Sequence, residues 1–263
     1  MFLKQGTIER INDWADDSIY VLTDFDRTIT VGNSESSWSI LSKSDLVPKE
    51  YVVERQAFFD QYRPFEINEA LDYDTKNSLM SEWWIKHISL FVKYKLSEDV
   101  ITTATKNLRV MAFRDGAKEF LEDMKKRNVP VIIISAGIGN FIQQFLIKND
   151  CEFDNIYIVS NFIKFKNGIA DGVASSVIHS LNKNEVSLSN DVKAKIANRP
   201  NIILLGDQTS DIRMAAEEKR EQALKIGFLE EEVEQNRPYF EEAFDVIVSN
   251  NGSFDDFRRI LKL

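Results

Sequence analysis

Ile19-Tyr20-Val21-Leu22-Thr23-Asp24-Phe25-Asp26-Arg27-Thr28 is the stretch on which the fold turns. Ile19–Thr23 is a short apolar run, β-branched at Ile19, Val21 and Thr23, that stops at an acid. It predicts a buried strand. Asp24 and Asp26, two apart just past its end, can point to one side of a sheet edge. The question is what else in the chain arrives at that edge.

Immediately downstream the rhythm changes. From Asn33 to about Arg109 the pattern is helical, with no convincing strand. Pro48 suits a helix N1 position, and Pro64 breaks the pattern near Tyr62–Ile67. Asn68–Lys95 reads as one or two amphipathic helices, and Ser97 is an N-cap for the next. Beyond Arg109, strands and helices alternate. Asp115 caps a helix to about Arg127, followed by a strand at Val129–Ile134, a helix at Gly139–Asn149 and a strand at Ile156–Val159. Asn167-Gly168 lies between apolar runs, a hairpin signal. A helix at Asp191–Asn198, a strand at Asn201–Leu205, a helix at Ser210–Glu218, and strands at Ala223–Ile226 and Asp245–Val248 complete the pattern. Ser253 with Asp256 resembles a capping box for a final helix.

Such alternation implies an α/β fold: a Rossmann-like, mostly parallel sheet covered on both faces. The helical stretch interrupts it after the first strand. Residues 1–31 and 112–263 are therefore expected to form the catalytic core, and residues 32–111 an inserted α-helical cap.

In a sheet of this kind, ligands bind beyond the carboxyl ends of the strands. Three predicted strand ends carry chemistry: Asp24 and Asp26 after the first, Ser135-Ala136-Gly137 after the second, and Gly206-Asp207 with Asp211 after the Asn201 strand. Four carboxylates in one crevice repel one another unless a cation sits among them. Oxygen-only ligands, with no His and no useful Cys, point to Mg²⁺ rather than zinc. A metal held by few carboxylates keeps waters and usually a substrate phosphate. Ser135 with the amides of Ala136 and Gly137 can donate to phosphate oxygens at a turn before a helix. A lysine must then balance the remaining negative charge, and Lys183, Lys193 and Lys195 all precede the Asn201 strand.

Composition bounds the reading. The 263 residues carry 33 Lys+Arg against 42 Asp+Glu, a formal charge of −9, with 43% hydrophobic and 29% charged residues. That excludes a disordered chain and disfavours a partner as long as a nucleic acid. A chain of this size buries roughly three quarters of its unfolded surface, so it needs no disulfide. The single cysteine, Cys151, excludes an intramolecular disulfide framework and fits a reducing compartment, as a small core residue. No targeting or membrane segment is visible, so a soluble, cytoplasmic protein is expected.

Asp24-Phe25-Asp26-Arg27-Thr28, Ser135 and Gly206-Asp207 with Asp211 resemble motifs of the haloacid dehalogenase superfamily of phosphotransferases. One branch is more similar: Phe113-Arg114-Asp115-Gly116, Ser135-Ala136-Gly137-Ile138-Gly139, Ile178-His179-Ser180-Leu181-Asn182-Lys183 and Leu224-Lys225-Ile226-Gly227 resemble the eukaryotic-type pyrimidine 5′-nucleotidases, as do Tyr62-Arg63-Pro64-Phe65-Glu66-Ile67 and Glu82-Trp83-Trp84 in the cap. The resemblance implies a Mg²⁺-dependent phosphatase acting on a small phosphate monoester, a nucleotide such as UMP or CMP, with 7-methyl-GMP a further possibility. It implies that Asp24 is the nucleophile, Asp26 the acid/base, and Lys183 the neutralising lysine. Mg²⁺ would be held by Asp24, the Asp26 carbonyl, Asp207 and Asp211, the last through water. Phosphate would be held by Ser135, Ala136, Gly137 and Thr28. Glu66 and Trp84, with Trp38, would contact the base. His87 and His179 have no role in that chemistry. A phosphatase for a smaller metabolite such as phosphoserine, and a non-enzymatic phospho-acceptor domain, are the alternatives.

Overall fold

The computed structural model describes residues 1–66, 68, 70–106, 111–185 and 188–261. Its main sheet has seven strands in the order β1-β9-β8-β7-β2-β3-β4, formed by β1 (Phe2–Leu3), β2 (Ile19–Thr23), β3 (Val131–Ile138), β4 (Ile156–Asn161), β7 (Asn201–Gly206), β8 (Leu224–Leu229) and β9 (Val246–Ser249). All neighbours are parallel except β1, which pairs antiparallel with β9. The inner strands are apolar throughout because both faces are covered. Ile19, Val21, Ile203 and Leu205 join one core, and Tyr20, Leu22, Ile202 and Leu204 the other, following the period of two.

From β2 the chain builds outward through β3 and β4; from β7 it builds the other way through β8 and β9. The order reverses between β2 and β7, and in sheets of this kind ligands bind beyond the strand ends at such a reversal. Thr23 pairs with Leu205 on one side and Ile133 on the other. Asp24 thus emerges level with Gly206, and its amide donates to the Leu205 carbonyl at 3.0 Å.

Residues between β2 and β3 form the helices α2 (Lys49–Glu66), α3 (Tyr73–Lys93) and α4 (Glu98–Lys106), preceded by α1 (Thr7–Ile11) before β2 and followed by α5 (Ala117–Lys126). The chain leaves and re-enters the core side by side: Thr30 bridges Phe113, the Val31 amide donates to the Ala112 carbonyl at 3.1 Å, and the Arg114 amide to the Ile29 carbonyl at 2.9 Å. Tyr62, Met80, Trp83 and Trp84 form a small cluster of their own, with Tyr62 stacked on Trp83. Asp72 caps α3 by accepting from the Thr75 amide at 2.9 Å. The Val100 amide donates to Ser97 Oγ at 3.3 Å, as expected of a cap on α4. A hairpin of β5 (Ile163–Lys166) and β6 (Ile169–Val173) turns at Asn167-Gly168, both with positive φ, the type I′ signature. The remaining helices are α6 (Gly139–Lys148), α7 (Asn190–Ile196), α8 (Val233–Ala243) and α9 (Phe254–Leu261).

Several expectations need correction. α2 passes through Pro64 to Glu66: the proline lacks the amide that would bond the Asp60 carbonyl and its ring crowds that carbonyl, so the break the sequence suggests falls within the helix's last turn and not before it. Gly116, not Asp115, stands at the N-cap of α5 and makes no side-chain cap. The Asp115 carbonyl instead accepts from the Phe254 amide and the Ser253 hydroxyl. β3 runs on to Ile138, so Ser135-Ala136-Gly137 lie within a strand whose register with β4 shifts between Ile134 and Ile138, not in a turn beyond it. The predicted helix at Ser210–Glu218 is two short 3₁₀ turns, Thr209–Met214 and Glu217–Lys219, broken at the extended Ala215. No described helix is long and apolar enough to cross a membrane.

Candidate active site

Asp24, Asp207 and Asp211 converge where the strand order reverses, with a carboxylate oxygen from each lying within 4.8 Å of the others. Each is placed by a different device. Asp24 ends β2 and Asp207 follows β7. Asp211 is turned back by its 3₁₀ segment so that Oδ2 accepts from the amides of Asp207 at 3.1 Å and Gln208 at 3.0 Å. Gly206 permits this: a Cβ there would meet the Asp211 Cβ at 2.4 Å. The ammonium of Lys183 enters the cluster, 2.5 Å from Asp24 Oδ1 and 3.1 Å from Asp211 Oδ1. Lys193 and Lys195 lie on α7 instead.

Burial dominates the electrostatics. It raises the Asp24 carboxyl to about 7, against the pull of Lys183. It lifts Asp207 well above the carboxylate range, with Asp24 and Asp211 adding repulsion. For Lys183, burial opposes the charge, but Asp211 and Asp24 outweigh it and hold the ammonium protonated. Three acids crowded around one lysine are short of positive charge.

Asp26 is set apart from that trio. Both its oxygens face Ser37, whose amide donates to Oδ2 at 3.2 Å and whose hydroxyl donates to it at 3.1 Å. Burial raises Asp26 to about 6, with the Ser37 bonds opposing. A carboxyl poised near neutrality suits proton transfer. Ser37 also accepts from the Ile138 amide at 3.1 Å, linking the acid to the end of β3. Gly137 is demanded at this crossing, since a Cβ there would meet Ser37 Oγ at 2.2 Å.

Ser135 is buried, and its Oγ accepts from the Gly137 amide at 3.0 Å, leaving the hydroxyl proton to donate elsewhere. The Ala136 carbonyl is a junction: Trp38 Nε1 donates to it at 3.0 Å, Trp84 Nε1 at 2.8 Å and Asn161 Nδ2 at 2.9 Å. The two indoles meet edge to face at 6.1 Å. Trp84 is 7% exposed and belongs to the small aromatic cluster, so its N–H is committed to the Ser135–Gly137 segment. Glu66, at the end of α2, pairs with Arg63 one turn back. Thr28 is fully buried, its hydroxyl without a partner and its carbonyl accepting from Arg114 Nε at 3.1 Å. His87 and His179 are buried. The first accepts from Trp83 Nε1 at 3.1 Å, and the second lies 3.0 Å from Ser81 Oγ.

Ser37, Asn161 and Arg114 had no assigned site role in the sequence reading. Arg114 lies in Phe113-Arg114-Asp115-Gly116 and Asn161 in Val159-Ser160-Asn161-Phe162, stretches that carry the family likeness; nothing local marks Ser37, which reaches Asp26 across 11 residues.

Comparison with known proteins gives the geometry a lineage. The pyrimidine 5′-nucleotidase (UMPH-1) family matches residues 22–263. The chain belongs to that family. Membership makes it a phosphoric monoester hydrolase of 5′-nucleotidase type, with a haloacid dehalogenase fold. Among curated relatives, this nucleotidase is 31% identical over 266 residues to 7-methylguanosine phosphate-specific 5′-nucleotidase B of Xenopus laevis, covering 98% of this chain and 91% of that one. It is 31% identical over 254 residues to the 7-methylguanosine phosphate-specific 5′-nucleotidase of Homo sapiens, covering 94% and 84%. A crystal structure of cytosolic 5′-nucleotidase IIIB bound to cytidine superposes with a TM-score of 0.85 at 28% identity, covering 97% of this nucleotidase and 88% of that chain. A substrate-bound phosphoserine phosphatase superposes at 0.57 with 21% identity, covering 93% of this chain and 97% of that one, a likeness of fold.

Proposed function

We propose that the protein hydrolyses nucleoside 5′-monophosphates with Mg²⁺, through a phosphoryl group carried on Asp24. One observation carries the reading: Asp24, Asp207 and Asp211 hold carboxylate oxygens within 4.8 Å of one another at the sheet's reversal point, with Lys183 among them. The donor set is all oxygen and acidic, and one ammonium does not neutralise it, which fits a hard divalent cation. Asp24, Asp207, Asp211 and the Asp26 carbonyl would hold it. When bound, it supplies charge neutralisation and polarises the phosphoryl oxygens.

The chain's own groups account for the rest. Asp24 attacks phosphorus; the new Asp24 O–P bond forms as the ester P–O bond breaks. Asp26 gives its proton to the departing 5′ oxygen, then takes one from the water that cleaves the aspartyl-phosphate, restoring Asp24 and releasing phosphate. Lys183 steadies Asp24 and the transferring charge. The Ser135 hydroxyl, the Ala136–Gly137 backbone and Thr28 would hold the phosphate. Residues 32–111 would form the cap over residues 1–31 and 112–263, with Glu66, Trp84 and Trp38 toward the base.

For the base, the names of the relatives favour 7-methylguanine over the UMP or CMP expected from the sequence, and the cytidine-bound neighbour keeps cytosine in range. A cytosolic setting agrees with a Caenorhabditis elegans relative named putative cytosolic 5′-nucleotidase 3. The test is kcat/KM for 7-methyl-GMP, CMP, UMP and phosphoserine, with and without Mg²⁺, for the wild type and Asp24→Asn. Nucleotide turnover that needs Mg²⁺ and vanishes in Asp24→Asn is expected. Equal rates on phosphoserine and nucleotides, or retained turnover by the variant, would refute the reading.

A further inference from the structure

Lys183 lies outside any helix or strand: a turn covers 180–182, and a 3₁₀ segment begins only at Glu185. A long flexible side chain on such a segment places its ammonium well only if the backbone beneath it is pinned. Two residues on, Glu185 is 5% exposed. Its Oε2 accepts from the Tyr20 hydroxyl at 2.7 Å, and its Oε1 accepts from the Ala216 amide at 2.9 Å. The Lys219 ammonium lies 3.3 Å from Oε1. Burial, then the bond to Glu185, pushes the Tyr20 phenol upward, so it remains a donor.

The partners' positions give this arrangement its meaning. Tyr20 belongs to β2, four residues before Asp24. Ala216 follows the 3₁₀ turn that carries Asp211. Asp24 and Asp211 are the two carboxylates that Lys183 touches. One buried side chain therefore ties the lysine's segment to both elements that bear the lysine's partners. Burying a carboxylate is costly unless it is hydrogen-bonded, and the Tyr20 hydroxyl, the Ala216 amide and the Lys219 ammonium meet that need here.

We propose that Glu185 is a positioning residue for phosphoryl transfer: it fixes the Lys183 ammonium against Asp24 and Asp211 and touches no substrate itself. The inference rests on the role given to Lys183 above. A displacement of about 1 Å at a catalytic group can cost about a hundredfold in rate.

The experiment measures kcat and KM, per folded molecule and at saturating Mg²⁺, on whichever of CMP and 7-methyl-GMP the wild type hydrolyses faster. The variants are Glu185→Ala, Glu185→Gln, Tyr20→Phe, Lys183→Ala and the Lys183→Ala/Glu185→Ala pair. Glu185→Ala is expected to lower kcat about 10- to 100-fold with KM within about threefold. Glu185→Gln should recover part of the loss, since its amide oxygen still accepts from Ala216. The double variant should be no slower than Lys183→Ala, because misplacing an absent ammonium costs nothing further. Should Glu185→Ala not fold, Tyr20→Phe decides: a fall in kcat supports the role and wild-type kcat overturns it. Glu185 variants with lowered Tm but wild-type kcat, or losses that multiply in the double variant, overturn the inference and leave Lys183 standing. Wild-type turnover by Lys183→Ala overturns the lysine's role itself.

Discussion

Arg114→Ala tests how the loop that carries Asp24 and Asp26 is held. Arg114 is 1% exposed, and its guanidinium is spent on that loop and its surroundings. Nε donates to the Thr28 carbonyl at 3.1 Å, and NH2 donates to the Arg27 carbonyl at 2.5 Å. NH1 donates to Glu230 at 2.6 Å and to the Gly252 carbonyl at 3.1 Å, while the planar group lies over the Phe228 ring at 4.3 Å. Arg27 itself has a φ of 63°, a conformation that a side-chain-bearing residue holds only when its surroundings enforce it. The Glu230 side chain is 11% exposed, so truncating Arg114 removes the cation from a nearly buried carboxylate whose other oxygen accepts from the Asn251 amide at 2.8 Å.

Breaking a buried pair by removing one partner costs about 3–5 kcal/mol. The abandoned carbonyls add to this, and water entering the space subtracts, so about 3–5 kcal/mol is the expected loss. At about 2–4 °C per kcal/mol, Tm should fall by about 6–20 °C. Urea titration followed by far-ultraviolet circular dichroism, with a thermal scan, measures both. Arg114→Lys should recover less than half, because a point ammonium cannot serve four acceptors in a plane. A loss under about 1 kcal/mol for the alanine variant would refute this account, since a side chain with these bonds cannot be so nearly neutral.

Two further outcomes follow from the same geometry. Burial pushes His87 down to about 3 and His179 down to about 4, so both stay neutral in the fold while the unfolded chain protonates near 6.5. At these two sites the unfolded state then binds more protons, so the histidines' own contribution to stability falls as pH drops from about 6.5 toward 4, by up to about 1.4 kcal/mol per pH unit each, while the raised carboxyls of Asp24 and Asp26 act in the opposite direction. Between these limits the urea midpoint of His87→Gln should lose less, or gain more, on acidification than that of the wild type; an identical pH dependence would contradict a neutral His87. Gly137→Ala should lower kcat at least about tenfold, because its Cβ would meet Ser37 Oγ at 2.2 Å and that hydroxyl is held by Asp26 and Ile138. Wild-type turnover by this variant would mean that Ser37 yields freely.

Legibility in the sequence tracked how local each signal was. β2 was plain because an apolar run ended at Asp24, and Asp207 and Asp211 because both sit on one short segment after another such run. The bond from Asp211 to the Asp207 and Gln208 amides spans no more than four residues. Ser37 is different, since its tie to Asp26 crosses 11 residues into a stretch with little motif character. Arg114 reaches Thr28 across 86 residues and Asn161 reaches Ala136 across 25, distances at which spacing carries no information. α8 went unread because Pro238 stands inside it and Glu232, at its N-cap, offers no side-chain cap. Lys183 could be told from Lys193 and Lys195 only by motif likeness. In the fold the choice is made by topology, which puts one lysine between Asp24 and Asp211 and the others on α7.

The formal charge of −9 at first reads as a bar to an anionic substrate. The geometry relocates the problem. Asp24, Asp207 and Asp211 share one small space with a single ammonium, so the local imbalance is worse than the bulk figure suggests. Two unit charges 4 Å apart interact by about 4 kcal/mol at an effective dielectric of 20, so a phosphate dianion entering such a site alone would face several such repulsions. A divalent cation among the same oxygens would cancel the net negative charge that three carboxylates and one ammonium leave. On the proposed function, nucleotide and cation would bind with positive coupling, and by linkage each would raise the affinity of the other equally. On that function, the same acidity that would repel phosphate from the bare carboxylates would draw in the cation that admits it.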